Sequence, residues 1–404
     1  MIMLNTENLN VGYGKKIVVN NVNIQVSKGE VFCLLGANGA GKTTTLRTLS
    51  GLLKPMGGKV FLNGKDISEI NKKELAKKLA LVLTNRFSGS LMTVYDIVAM
   101  GRYPHTGFFG KLTEEDSEKI FVALETVNAK YLAERYFDEL SDGEKQKVLV
   151  ARALVQEPEI IILDEPTTHL DIKHRLELME ILKTLSKEKN IAVILSLHEI
   201  DIALKSCDKV MLIKDNNVLA YGEPEDTVNE DIINGLYGLE NKNFNNLLGA
   251  VELNNSCKES VFVVAGGGTG TPIYRALTKK RIGIFSGILH ENDIDYEIGR
   301  TMGIHMSIMK AFQDISEDKF NEAICHMENI KFVIDSGFPV GSMNSKNIEL
   351  IKIALRKDKK IFSLRNIEQG KELFKELNDN IIYKSDISNI IKEIDGGSEN
   401  DENI

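Results

Sequence analysis

The stretch Val31–Leu49, VFCLLGANGAGKTTTLRTL, decides the fold. Its first five residues are apolar without alternation, as a strand covered on both faces must be. KTTTLRTL reads as a helix, and the turn between them, Gly36 to Thr43, fits G-x-x-x-x-G-K-[ST]. Each residue type has a chemical reason. Gly36, Gly39 and Gly41 let the backbone curl, so that successive N–H groups from Asn38 and Ala40 through Thr44 face a polyphosphate. The helix N-terminus adds positive potential at the same point. Lys42 reaches the β- and γ-phosphates, and the Thr43 hydroxyl is a ligand for Mg²⁺.

A second motif follows in Ile160–Pro166, IIILDEP. A buried strand delivers two carboxylates to the sheet edge where the phosphates would sit. Asp164 is placed to hold the magnesium, and Glu165 to orient and deprotonate an attacking water.

The chain's 404 residues favour two or three domains with separate cores. A net charge of −8 argues against bulk attraction to nucleic acid or anionic lipid. The four cysteines stand in no metal-ligand spacing and read as small core residues in a reducing compartment. No window approaches the roughly 18 consecutive apolar residues of a membrane span, and the N-terminus has no secretory pattern. The expectation is a cytoplasmic protein whose membrane role comes through a partner.

Short β-rich runs alternate with helical patterns over residues 1–238, including KVFLNG, IAVILSLH and KVMLIKDNNVLAYG. Residues 239–258 lose periodicity, gain asparagine and read as a linker. Alternation resumes over 259–394, as expected of a smaller Rossmann-like α/β domain. Residues 395–404 read as a disordered acidic tail.

Leu140–Gln146, LSDGEKQ, is similar to the LSGGQ signature, HLD at His169–Asp171 to a D-loop, and His198 in LSLHE to a switch histidine. With the two motifs above and Tyr13 in VGYG, these residues resemble the ATP-binding subunit of an ABC transporter. That family combines a P-loop mixed-sheet core with a helical subdomain. The resemblance implies ATP and Mg²⁺, with Tyr13 stacked on adenine. Ser141, Gly143 and Asp171 would serve ATP bound to the opposite subunit of a homodimer. Lys42, Asp164, Glu165 and His198 would carry the chemistry. It also implies two integral-membrane permease subunits, indirect service to a periplasmic or extracellular substrate-binding protein, and a position at the inner face of the cell membrane. No nucleic acid is implied; a soluble ABC ATPase outside transport is the rival reading. Two departures stand out. Asp142 and Glu144 replace the usual glycine and glutamine of the signature, and both side chains are expected to point away from the phosphate. Thr84, or its neighbour Asn85, occupies the place of the Q-loop glutamine that would approach the magnesium. Further on, VYDIVAMGRYPH (Val94–His105) resembles ATPases of importers that move iron–siderophore complexes, haem or cobalamin.

The second half carries its own glycine turn, GGGTGTP, after the apolar run VFVVA. It satisfies neither G-x-G-x-x-G nor the phosphate-loop pattern. The backbone of Gly266, Gly267, Gly268 and Gly270, with the hydroxyls of Thr269 and Thr271, could bind an anion or simply let strand and helix pack. Asn292, Asp293 and Asp335 follow other strands and would gather at the same edge of a parallel sheet. This half resembles the C-terminal extension of some archaeal and bacterial ATPases of the same import group. The resemblance supplies no mechanism: a regulatory or ligand-sensing role and an enzymatic one on the imported cofactor both stand.

Overall fold

The computed structural model describes residues 1–83, 91–107, 110–239 and 242–398. Thr84 and Asn85 therefore lie outside the described residues. The chain divides into two compact units, Met1–Gly238 and Leu239–Ile404.

The first unit is built on an eleven-stranded mixed sheet. Its strands are β1 (Ile2–Tyr13), β2 (Lys16–Val22), β3 (Gln25–Ser27), β4 (Val31–Leu35), β5 (Gly57–Leu62) and β6 (Lys65–Asp66). They continue with β7 (Leu79–Val82), β8 (Ile160–Leu163), β9 (Ala192–Ser196), β10 (Lys209–Lys214) and β11 (Asn217–Gly222). The order is β6-β5-β1-β2-β11-β10-β4-β9-β8-β7, with β3 paired to β1. β10, β4, β9, β8 and β7 run parallel, while β1 pairs antiparallel with its neighbours. β4, β8 and β9 are buried along their whole length, which explains their unbroken apolar runs. KVMLIKDNNVLAYG is two strands and not one. Asp215 and Asn216 both take positive φ, the requirement of a tight hairpin turn.

A helical part holds Val94–Ala99, Glu114–Thr126 and Asp142–Leu154. Each opens on a capping box, from Thr93, Thr113 and Ser141, which satisfies the free N–H groups of the first turn. Arg102 is buried here. Its Nε bonds Asp116 at 2.8 Å, and its Nη1 bonds Glu157 and the Val155 carbonyl at 2.8 Å.

The second unit is a six-stranded, all-parallel sheet with helices on both faces. Before it, the stretch read as a linker contains an antiparallel hairpin, β12 (Lys242–Asn245) with β13 (Ala250–Leu253). Its asparagines hide it from a hydropathy reading, yet they are what fasten it: Asn245 Nδ2 donates to Thr301 Oγ1 at 2.8 Å while Asn245 Oδ1 accepts the Leu248 N–H of the turn. Phe244 is buried beside it. The sheet strands are β14 (Glu259–Val264), β15 (Gly283–His290), β16 (His305–Met309), β17 (Phe332–Asp335), β18 (Lys360–Ser363) and β19 (Ile381–Tyr383). Their order is β16-β15-β14-β17-β18-β19, so the order in which strands are added, and not their direction, reverses between β14 and β17. Along β14, Val261 and Val263 join one apolar cluster while Phe262 and Val264 join the other, covering both faces. The last helix, Ile387–Ser398, runs through the first residues of the expected tail; 399–404 lie outside the described residues.

Candidate functional site

In the first unit, parallel pairing brings the carboxyl ends of β4, β8 and β9 together: Leu34 lies opposite Ser196, and Leu163 opposite Leu195. The turn after β4 runs through Gly36, Gly39 and Gly41, all at positive φ. Gly41, directly before the helix Lys42–Leu49, must be glycine on two counts. Its φ is 109°, and a Cβ there would sit 2.5 Å from Val19 Cγ2. Ala40 N–H closes the turn onto the Ala37 carbonyl at 3.1 Å. Asn38 is exposed and Thr44 buried.

Lys42 is 4% exposed, and its Nζ donates to the Gly36 carbonyl at 2.8 Å. It lies 3.9 Å from Glu165 Oε1. Burial holds its ammonium pKa below the usual lysine value, opposed by Glu165 and Asp164. Thr43 Oγ1 donates to Asp164 Oδ1 at 3.0 Å. Ser196 Oγ donates to the same oxygen at 2.9 Å and accepts the Glu165 N–H at 2.9 Å. Glu165 adopts φ 48°, a left-handed conformation uncommon for glutamate, and His198 Nε2 meets its Oε1 at 2.7 Å. Six residues, Lys42, Thr43, Asp164, Glu165, Ser196 and His198, are thus linked by direct contacts. Ser196 was not singled out from sequence; the only signal is a lone hydroxyl inside AVILSL, two residues before His198. Tyr13 is half exposed at the end of β1.

Ser141, Gly143 and Asp171 gather in a second cluster. Asp171 caps the helix Ile172–Lys187, and its Oδ1 meets both the backbone N–H and Nδ1 of His174 at 2.8 Å. The His174 ring lies against Gly143, where a Cβ would come within 2.5 Å of it. Glu144 folds back onto the start of its own helix. Its Oε2 accepts the Ser141 N–H at 2.9 Å and the Ser141 hydroxyl at 2.8 Å, because a glutamate three residues past an N-cap serine closes a capping box. These bonds, the backbone N–H first, keep the Glu144 carboxyl below its usual pKa. Arg102 is likewise no surface residue, and His105 Nε2 bonds the Gln156 carbonyl at 2.9 Å; Tyr103 alone of these three is exposed.

The second glycine turn is occupied from within. Asp295 is fully buried and accepts the N–H groups of Gly270 (2.9 Å) and Thr271 (2.8 Å) and the Thr271 hydroxyl (2.8 Å). Asp293 Oδ2 accepts the Gly267 N–H at 2.8 Å, and Thr269 Oγ1 turns to Gly266 O and Ser336 Oγ. The chain's own carboxylates thus take the Gly267, Gly270 and Thr271 N–H groups and the Thr271 hydroxyl, donors that an anion at Gly266–Thr271 would need. Asp335 is fully buried in a two-point pair with Arg365, at 3.0 and 3.1 Å. Gly267, Asn292 and Asp293 do line a cavity of about 500 Å³ at the same sheet edge.

A phosphate loop at the end of a buried parallel strand, facing an Asp–Glu pair and a histidine, defines a P-loop nucleoside triphosphatase. Comparison narrows the class. Residues 19–168 match the ABC transporter family model, and 284–391 match the MJ0874 family. An uncharacterized ABC transporter ATP-binding protein of Methanocaldococcus jannaschii, MJ0873, is 49% identical over 289 residues, 71% of this chain and 100% of that one. The cobalamin import ATP-binding protein BtuD of Halobacterium salinarum is 30% identical, covering 78% of this chain and 80% of its own length. The iron(3+)-hydroxamate import ATP-binding protein FhuC of Bacillus subtilis is 36% identical over 59% of this chain and 89% of its own. Among solved structures, the ADP conformation of the ATP-binding cassette MJ1267 superposes with TM-score 0.52 at 28% identity, covering 59% of this chain and 95% of that one. An ABC transporter in an inward-facing conformation gives 0.53 at 29%, over 59% and 90%. The chain belongs to the ATP-binding proteins of ABC transporters and is an ATPase of that family, carrying an MJ0874-family extension. Among the described residues no helix is long and apolar enough to cross a membrane.

Proposed function

We propose that the chain powers import of a metal chelate, an iron–siderophore complex, haem or cobalamin, as a homodimer beneath two permease subunits. The observation that carries this reading is the pair of import ATPases above, named for iron–hydroxamate and cobalamin, whose lengths the chain largely spans. The run Val94–His105 adds Tyr103, exposed where a permease would be met.

In this reading Lys42 neutralises charge on the β- and γ-phosphates, and Glu165 takes the proton of the attacking water. His198, 2.7 Å from Glu165, fixes that carboxylate and senses the γ-phosphate. Thr43 and Asp164 offer adjacent oxygens of the hard type Mg²⁺ prefers, and the ion would supply charge neutralisation at the phosphates. Tyr13 stacks on adenine, while Ser141, Gly143 and Asp171 face the nucleotide of the opposite subunit. The domain scheme is an ATPase of residues 1–238 followed by a unit that senses a ligand and regulates hydrolysis.

Glu165→Gln tests the chemistry: turnover should disappear while ATP binding and dimerisation persist, and substantial residual hydrolysis would remove Glu165 as the base. For the substrate, the chain reconstituted with its permease in liposomes should show ATPase stimulation by one chelate class. A response to none of the three would overturn the import reading.

A further inference from the structure

We infer that the cavity at the carboxyl edge of the second sheet binds an uncharged nucleoside and selects against its phosphorylated forms. The inference rests on the ligand-sensing role proposed for this unit and gives that role a chemical address.

Three observations converge. First, the cavity lies where the strand order reverses between β14 and β17, the place where open parallel sheets of this order bind the nucleoside portion of their ligands. At about 500 Å³ it falls within the range of small-molecule sites. Second, its rim carries large apolar side chains. Phe312 is 76% exposed, and Ile294, Val340 and Met343 are exposed beside it. Four such side chains around one opening offer a flat heteroaromatic ring the burial that water denies it.

Third, the polar equipment suits a sugar and a base but repels phosphate. Asp293 stands after β15, where a carboxylate meets ribose hydroxyls in sheets of this type. Each of its oxygens already accepts one backbone N–H, from Asp295 and Gly267, and keeps a second lone pair for a hydroxyl. Asn292 adds an amide to the lining, while the Asn344 amide fastens the loop, accepting the Gly341 N–H at 2.7 Å and donating to the Pro339 carbonyl at 2.9 Å. Among the described residues the lining contains no lysine or arginine, its one imidazole, His290, is tied to the Gln313 carbonyl at 2.8 Å, and the Gly270 and Thr271 N–H groups are held by the Asp295 carboxylate. A phosphate there would meet the Asp293 carboxylate with no lysine or arginine beside it to offset the charge.

The test uses the full chain with its first site saturated by magnesium and the non-hydrolysable analogue AMP-PNP. Adenosine, guanosine, cytidine and uridine, with their 5′-monophosphates, are titrated by calorimetry against wild type, Ser342→Trp and Asn292→Ala. Ser342 is exposed in the loop lining the cavity, so a tryptophan fills the space with little threat to folding, which an unchanged melting curve confirms. At least one nucleoside should bind at one per chain, and its monophosphate at least about tenfold more weakly, about 1.4 kcal/mol. Ser342→Trp should abolish the binding, and Asn292→Ala should weaken it several-fold. Equal or tighter binding of the monophosphate, binding that survives Ser342→Trp, or binding by none of the four overturns the inference. Steady-state ATP hydrolysis with and without the bound nucleoside separates the two claims. Binding that leaves hydrolysis unchanged keeps the site and removes the regulatory role.

Discussion

Ser196 is the residue through which the two carboxylates of the first site hold their positions. Its hydroxyl donates to Asp164 and accepts the Glu165 N–H, so one fully buried oxygen sets both the carboxylate bonded to Thr43 and the backbone of the proposed base. Ser196→Ala leaves that N–H unsatisfied, a cost of about 1–3 kcal/mol. The expected outcome is a fall in kcat of about ten- to a hundredfold with ATP affinity nearly unchanged, read by steady-state kinetics and nucleotide titration; Ser196→Thr should recover much of it. The second cluster makes a different prediction. An alanine at Gly143 collides with the His174 ring, so Gly143→Ala should lower the melting temperature and the hydrolysis rate together. Gly143→Ala with His174→Ala should relieve the melting deficit, because the clash and not the glycine's flexibility is the cause. A double-mutant cycle on melting temperature checks it.

At the scale of elements, buried ion pairs lock segments that hydropathy leaves loose. Arg102 ties the end of one helix to Asp116 and Glu157 of two other segments. The Thr113 backbone N–H and hydroxyl, and then the Arg102 guanidinium, hold the Asp116 carboxyl down to about 2. A lowered carboxylate pKa means stability present above the unfolded value of about 3.9 and lost as pH falls through 2. The first unit should therefore lose about 1–2 kcal/mol between pH 4 and 2, a loss that Asp116→Asn removes by removing the contribution itself; urea melts of the full chain at several pH values measure it. In the second unit, Asp335 at the end of β17 pairs with Arg365, just past β18. Asp335→Asn strands a buried guanidinium and should cost about 3–5 kcal/mol, seen as a lower denaturation midpoint, with far less lost on replacing both by apolar residues. The sequence pattern VIDSG shows a strand end but not which charge it meets, since Arg365 lies 30 positions away. The same distance in sequence hid the partners of the glycine turn. Gly270 and Thr271 look available for an anion until Asp295, 25 residues on, is folded against them. The first glycine turn was legible because its chemistry is local: lysine and threonine follow the glycines directly, and the apolar runs IIIL and AVILSL mark the strands that carry the rest.

For the whole molecule, each of the two units carries apolar clusters of its own. The apolar cluster that includes Leu4, Phe32 and Ile213 is drawn only from the first unit, and those around Val261 and Phe262 only from the second. The first unit also ends cleanly: the helix Glu230–Tyr237 stops at Gly238, whose φ of 61° supplies the left-handed C-cap that terminates helices. The next segment is the hairpin β12–β13, fastened by Asn245 to Thr301 and by Glu252 to Arg275 of the second unit. The stretch seen in sequence as a polar linker thus holds, from Lys242, the first strand of the second unit, after the helix cap at Gly238. A chain ending at Gly238 should therefore fold, melt cooperatively and hydrolyse ATP, because every residue linked around Lys42 lies before that point. Removing residues only from 259 onward should do worse. That truncation keeps the hairpin but strips away Thr301 and Arg275, leaving Phe244 and Asn245 exposed with no partner to bury them, and such a chain should aggregate or lose the segment to proteolysis. Comparing the two truncations by limited proteolysis and ATPase assay decides the matter. Equal behaviour would mean that the hairpin is a tether and no part of the second unit's packing.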